Sequence, residues 1–176
     1  FEAATALRHA FVHGCDKGTF RICQFSLQGN HAHLICEAKN ATALATGMKG
    51  WKTRVTRRLN ALWSRRGGNG KRRTGTVWDD RYHATITRTP RQVRNALCYV
   101  MNNARRHSEE KPAWAHCIDP FTTAWYYNGW RDHRWRSGLA PPEDGDPPVA
   151  EPHTWLLNDG WRRHGLIAID EVPVGR

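Results

Sequence analysis

The chain has 176 residues, a formal net charge of +11 and a pI near 10.0. That length suits one domain with appendages and can bury a real core. The charge makes nucleic acid the default partner, with an anionic membrane surface second. No signal peptide and no apolar run of membrane-spanning length is visible, so no membrane segment is expected. Five cysteines, at 15, 23, 36, 98 and 117, form no Cys-x-x-Cys pair. Scattered thiols in odd number point to reduced cysteines in a cytosolic protein, and away from a zinc ribbon or disulfide scaffold.

In chain order, Phe1, Ala4, Leu7, Ala10 and Phe11 have helical spacing, and Gly14 is a natural stop. His9 and His13 lie one turn apart on this helix and read as surface or packing residues. Residues 20–28 read as a strand. Gly29-Asn30 turns the chain into a second strand, His31-Ala32-His33-Leu34-Ile35-Cys36-Glu37-Ala38, giving an antiparallel hairpin. Residues two apart share a strand face, so His31 and His33 project side by side. Two neutral imidazoles so placed can bind a divalent metal if a third ligand comes from elsewhere.

Residues 41–66 carry one apolar stripe, Leu44, Met48, Trp51, Val55, Leu59 and Leu62, which predicts a long amphipathic helix. Lys49, Lys52, Arg57, Arg58, Arg65 and Arg66 decorate its other faces, and Lys71-Arg72-Arg73 follow in a Gly-rich loop. From Thr76 to Thr87 a β-rich run centred on Arg81 to Ile86 predicts another strand, with Tyr82 packed in the core. Thr89-Pro90-Arg91-Gln92 opens a helix with a capping box and Pro in the first turn. Val93, Leu97, Val100, Met101 and Ala104 make its buried stripe. Gln92, Asn95, Tyr99, Asn102, Asn103 and Arg106 make a polar face on which Tyr99 and Asn103 are neighbours. Between Met48 and Arg106 stand sixteen of the 27 Lys and Arg residues and two acids, Asp79 and Asp80. One basic helix face can be mere solvation, but this concentration predicts a nucleic-acid surface.

Residues 112–136 are rich in Trp and Tyr, suited equally to packing and to base stacking. Residues 137–154 are Pro- and acid-rich and read as a disordered linker. Residues 155–176 read as a docking helix or a small basic contact. The first 136 residues would form the main domain. The order helix, strand, strand, helix, strand, helix becomes βαββαβ if one strand is put in front. That is an α+β, ferredoxin-like antiparallel sheet lacking its N-terminal strand, with a C-terminal extension. The chain starts at Phe1, inside an apolar-periodic stretch, as a truncated start would leave it.

Three blocks carry a resemblance. Gln28-Gly29-Asn30-His31-Ala32-His33-Leu34-Ile35 resembles the His-hydrophobe-His motif of single-tyrosine HUH transposases. Trp78-x-x-Arg81-Tyr82-His83 and Leu97-Cys98-Tyr99-Val100-Met101-Asn102-Asn103 resemble the later blocks of the REP-associated tyrosine transposases and their insertion-sequence relatives. The match runs over about residues 1–120 in order, and the tail from Thr154 to Pro173 resembles the ending of some bacterial members. Two departures are Ala104, where many relatives have Pro, and the absent first strand.

The resemblance implies a bacterial-type cytoplasmic, nucleoid-associated enzyme that cuts and rejoins single-stranded or hairpin DNA through a 5′-phosphotyrosine. It implies Tyr99 as nucleophile, with Tyr82, Tyr126 and Tyr127 as other tyrosines to weigh. It implies Mg²⁺ or Mn²⁺ on His31 and His33. The family's third ligand falls at Asn103, with Glu37 as an alternative on the strand. DNA contacts are expected from Lys49, Lys52, Arg57, Arg58, Arg65, Arg66, Lys71, Arg72, Arg73, Arg81 and Arg106. Monomer and homodimer both fit. A non-catalytic nucleic-acid-binding module of the same ancestry is the second reading. A replication-initiator or relaxase nickase is the third, against which stand the missing third histidine and the missing tyrosine pair.

Overall fold

Local sequence signals set the helices. A computed structural model describes residues 2–12, 18–67, 71–79, 81–103, 118–132 and 147–173. Helix α1 runs Glu2–Val12, strand β1 Phe20–Leu27, strand β2 Ala32–Ala38, helix α2 Ala41–Arg66 and helix α3 Pro90–Met101. A short helix α4, Trp155–Asn158, follows near the C-terminus. At the start of α2, Asn40 Oδ1 accepts from the Ala43 N–H at 2.8 Å, which satisfies one of the orphan donors of the first turn. At the start of α3 the capping box forms: Thr89 Oγ1 accepts from the Gln92 N–H at 3.2 Å, and Gln92 Oε1 accepts from the Thr89 N–H at 3.1 Å. His13, Ala104, Arg106, Trp114, Cys117 and Trp135 lie outside the described residues, as do residues 137–146.

The protein is α+β, with a two-stranded antiparallel sheet and helices, a ferredoxin-like fold missing a strand. The strand expected from Thr76 to Thr87 does not form. The described residues there make no ladder, and Arg81 to Ile86 are exposed. The physical reason is pairing. Among the described residues the ladder joins β1 to β2 alone, and no strand pairs with this run. β-rich composition yields a strand only where a neighbour completes the ladder and buries a face.

The chain divides into two compact units. The first takes Phe1–Ile22, Glu37–Ile86 and Pro148–Ala150. In it α2 buries Met48, Trp51, Val55, Leu59 and Leu62, the predicted stripe. Phe11 of α1 meets Trp51 at 5.2 Å between ring centroids, and Trp78 meets Trp51 at 5.2 Å as well. Phe20 sits against Gly47, where a Cβ would run into its ring. Pro148 is fully buried, and the Ala150 N–H donates to the Ile22 carbonyl at 2.9 Å. Composition alone gave no sign of this docked segment.

The second unit takes Cys23–Cys36, Thr87–Pro147 and Glu151–Arg176. Its core joins Val93, Leu97, Cys98, Val100 and Met101 of α3 with Tyr127, Trp130, Leu157, Trp161 and Ile167, while Ile35 and Tyr99 lean on it half-buried. Tyr127 stacks on Trp161 at 5.7 Å, and the Trp130 indole N–H donates to the Ala124 carbonyl at 2.9 Å. Tyr127 and Trp130 are therefore packing residues, and the stacking role weighed for them is not available to either. The outer edge of β1 is also used: the Leu27 N–H donates to the Phe121 carbonyl at 2.9 Å and the Phe25 N–H to Thr123 Oγ1 at 3.1 Å.

The C-terminal residues dock on α3. Arg94 donates to both carboxylate oxygens of Glu171, at 2.6 and 2.8 Å, and to the Gly165 carbonyl at 2.9 Å. Asn102 Nδ2 donates to the Ala168 and Glu171 carbonyls at 3.0 and 2.9 Å. Among the described residues no helix is long and apolar enough to cross a membrane.

Candidate active site

The Gly29-Asn30 bend delivers His31 just before β2 and His33 inside it. Their Nε2 atoms stand 3.1 Å apart, with the rings edge to face at 4.7 Å. Asn30 Oδ1 lies 2.7 Å from His31 Nδ1. An amide oxygen there accepts, so His31 carries its proton on Nδ1 and turns the Nε2 lone pair toward His33. Sequence reasoning missed this use of Asn30, which had served only as a turn residue.

Helix α3 brings Tyr99 to the same place. Its hydroxyl lies 3.5 Å from His33 Nε2, and its ring meets the His33 ring edge to face at 4.9 Å. His31 is exposed, whereas His33 and Tyr99 are half-buried. The histidine face of β2 thus meets helix α3.

The other tyrosines are placed differently. Tyr127 is buried in the second unit's core, and burial pushes its phenol well above the ordinary value. Tyr82, expected in a strand core, is 39% exposed and belongs to the first unit. Burial also pushes the Cys36 thiol up to about 12, so it is neither a nucleophile nor a ready thiolate ligand.

Asn103 was expected on a polar helix face and is instead wholly buried, as is most of Asn102. Tail packing is the cause, since Asn102 is bonded to residues 168 and 171. Asn103 differs: neither its Oδ1 nor its Nδ2 has a hydrogen-bond partner among the described residues. Buried amides without partners are rare and mark an unmet ligand or a strained site. Glu37 is committed elsewhere, 4.0 Å from Arg21 Nη1, with both side chains nearly buried.

A divalent ion fits this donor set. Two nitrogens at about 2.1 Å on adjacent octahedral corners lie about 3.0 Å apart, close to the 3.1 Å seen between the histidines. Among the described residues no three His, Cys, Asp or Glu side chains come together.

Lys49, Lys52, Arg57 and Arg81 line a single cavity of the first unit. Arg66 is held by Glu2 at 2.9 Å, and the Arg73 guanidinium lies 4.1 Å from the Trp63 ring centroid. Arg65, Lys71 and Arg72 are exposed, Arg58 is half-buried, and Arg106 lies outside the described residues.

By fold the chain is an α+β protein of the ferredoxin-like type with a strand missing. The family model described as "Transposase IS200 like" matches residues 2–103, and the chain belongs to that family. Its function is therefore of the transposase type, with DNA as its partner. Comparison with curated proteins and with solved structures gives no match.

Proposed function

We propose that this protein cuts and rejoins single-stranded or hairpin DNA, with Tyr99 as nucleophile. The observation that carries the reading is one line of atoms: the Tyr99 hydroxyl 3.5 Å from His33 Nε2, itself 3.1 Å from His31 Nε2. A phosphodiester held at the histidines would lie within reach of the phenol oxygen. That oxygen attacks phosphorus, an O–P bond to the 5′ side forms, and the bond to the 3′ oxygen breaks. The phenol loses one proton and the departing 3′ oxygen gains one. The phosphotyrosine keeps the bond energy for joining to a second 3′-hydroxyl.

His31 and His33, with Asn103 as third donor, would hold Mg²⁺ or Mn²⁺. Such an ion polarises a phosphoryl oxygen and offsets its charge. Asn30 fixes the His31 tautomer that leaves Nε2 to ligate. The Tyr99 ring packs on the second unit's core and meets His33 edge to face, so the hydroxyl is positioned before DNA arrives.

The test is covalent capture. The full chain is incubated with hairpin-bearing single strands and Mn²⁺ and analysed under denaturing conditions. A protein–DNA adduct on the wild type that is lost in Tyr99→Phe supports the reading. Tight binding with no adduct favours the non-catalytic binding module.

A further inference from the structure

The first unit holds a site that the Tyr99 chemistry does not use. A cavity of about 920 Å³ lies between α2 and the irregular stretch that follows it. Four cations line it, Lys49, Lys52, Arg57 and Arg81, and among the described residues no acidic side chain does. Two aromatic rings, Trp78 and Tyr82, complete the wall.

Trp78 is fixed in place. Its indole N–H donates to the Lys52 carbonyl at 3.2 Å, its ring meets Trp51 at 5.2 Å, and Lys52 Nζ lies 5.4 Å from its centroid. Tyr82 keeps much of its surface in contact with water. Flat rings beside several cations suit a planar base carrying phosphates. The volume falls within the range of small-ligand pockets. A cationic ligand is disfavoured by charge, and a purely apolar one would leave four cations facing it.

We infer that this cavity takes one unpaired nucleotide of the bound DNA. Its base lies against Trp78 and Tyr82, and its flanking phosphates lie on the four cations. The inference rests on the DNA-handling reading and adds a second contact point to it. It also gives Trp78, Arg81 and Tyr82 a use although no strand forms there among the described residues.

The experiment reads equilibrium binding by fluorescence anisotropy, with the full chain in EDTA. The probes are a single-stranded hairpin-bearing oligonucleotide and a set in which successive unpaired positions are made abasic. One abasic position should weaken wild-type binding by about 5- to 150-fold, the range for one stacked base. Tyr82→Ala should weaken binding of the intact strand by a similar factor, yet change binding of that abasic strand less than twofold. Tyr82→Phe, which keeps the ring, should bind as the wild type does. Equal loss on intact and abasic strands, no loss in Tyr82→Ala, or free deoxynucleoside monophosphate matching the oligonucleotide in affinity would each overturn the inference. Tyr82 is exposed, so its variants keep the fold. Because no metal or covalent step enters, failure here is separable from failure of the Tyr99 reading, which shows only in adduct formation.

Discussion

The Tyr99 hydroxyl and His33 Nε2 stand 3.5 Å apart across two elements, α3 and β2, that the chain brings together from 66 residues away. A helix tyrosine on a polar face is ordinarily a packing residue. Here the ring is also in edge contact with the histidine at 4.9 Å. The proposed nucleophile and the candidate phosphate-binding pair therefore already stand together.

From this contact, Tyr99→Phe should remove all covalent adduct and leave DNA affinity within about twofold, since only a hydroxyl is lost and the ring still packs. Denaturing gels and anisotropy on the same protein check both halves. Adduct that persists in Tyr99→Phe and disappears in Tyr82→Phe would move the nucleophile to the first unit.

Binding should be salt-dependent. Four cations on one cavity predict a log–log slope of about −3 from that site alone, at about 0.7 per neutralised phosphate of a single strand. Lys49→Ala should lower the slope by about 0.7 and weaken all sequences alike. A flat salt response would remove the cavity cations from the DNA footprint.

What could be read in the sequence was local. The bounds of α2, the capping box of α3 and the Gly-Asn bend follow from patterns within a few residues, and all three form. That Tyr99 belongs with His31 and His33 was what the family resemblance implied, and the two elements do meet. Two features escaped because they depend on distant partners. The run from 76 to 87 has strand composition, but a strand needs a neighbour, and composition cannot supply one. Asn102 looks solvent-facing until residues 168 and 171 cover it.

Gly47 lies inside a helix, where Ala is better by about 1 kcal/mol on propensity alone. The Phe20 ring occupies the space of its Cβ. Overpacking typically costs about 1–3 kcal/mol, so Gly47→Ala should be net destabilising. Urea unfolding followed by tryptophan fluorescence checks the sign, and a stabilised Gly47→Ala would mean that Phe20 moves aside freely.

The Arg94–Glu171 pair makes the docking of the tail pH-dependent. The hydrogen bonds from Arg94 hold the Glu171 carboxyl below the usual range. A carboxylate depressed in the folded state stabilises above its unfolded value, about 4.3, and that stabilisation is lost as pH falls from there through the lower folded value. Glu171→Gln should therefore cost about 1–3 kcal/mol at neutral pH. The gap to wild type should close in acid. Thermal melts of both proteins from neutral to acid pH test this; a constant gap would assign the effect of Glu171 to packing.

Asn103 and Glu37, the two residues weighed as third donor in the proposed metal site, differ in what each side chain already does. Glu37 faces Arg21 at 4.0 Å with both side chains nearly buried. Removing its charge leaves a buried cation uncompensated, which is a stability defect. Asn103 is fully buried, and its amide has no partner among the described residues. An unmet buried amide costs about 1–3 kcal/mol, and ligation through Oδ1 would offset part of that cost. The two variants should therefore separate stability from metal binding in opposite ways. Asn103→Ala should melt within a few degrees of wild type without metal, because the lost amide cost offsets the small cavity. It should nevertheless need at least about tenfold more Mn²⁺ to reach half-saturation, a first ligand mattering no less than a second-shell partner. Glu37→Gln should melt lower and bind Mn²⁺ as wild type does. Mn²⁺ titration by electron paramagnetic resonance gives a readout that does not depend on cleavage. If Glu37→Gln is the variant that loses Mn²⁺ and Asn103→Ala only loses stability, the donor is on the strand, and Asn103 is a packing residue.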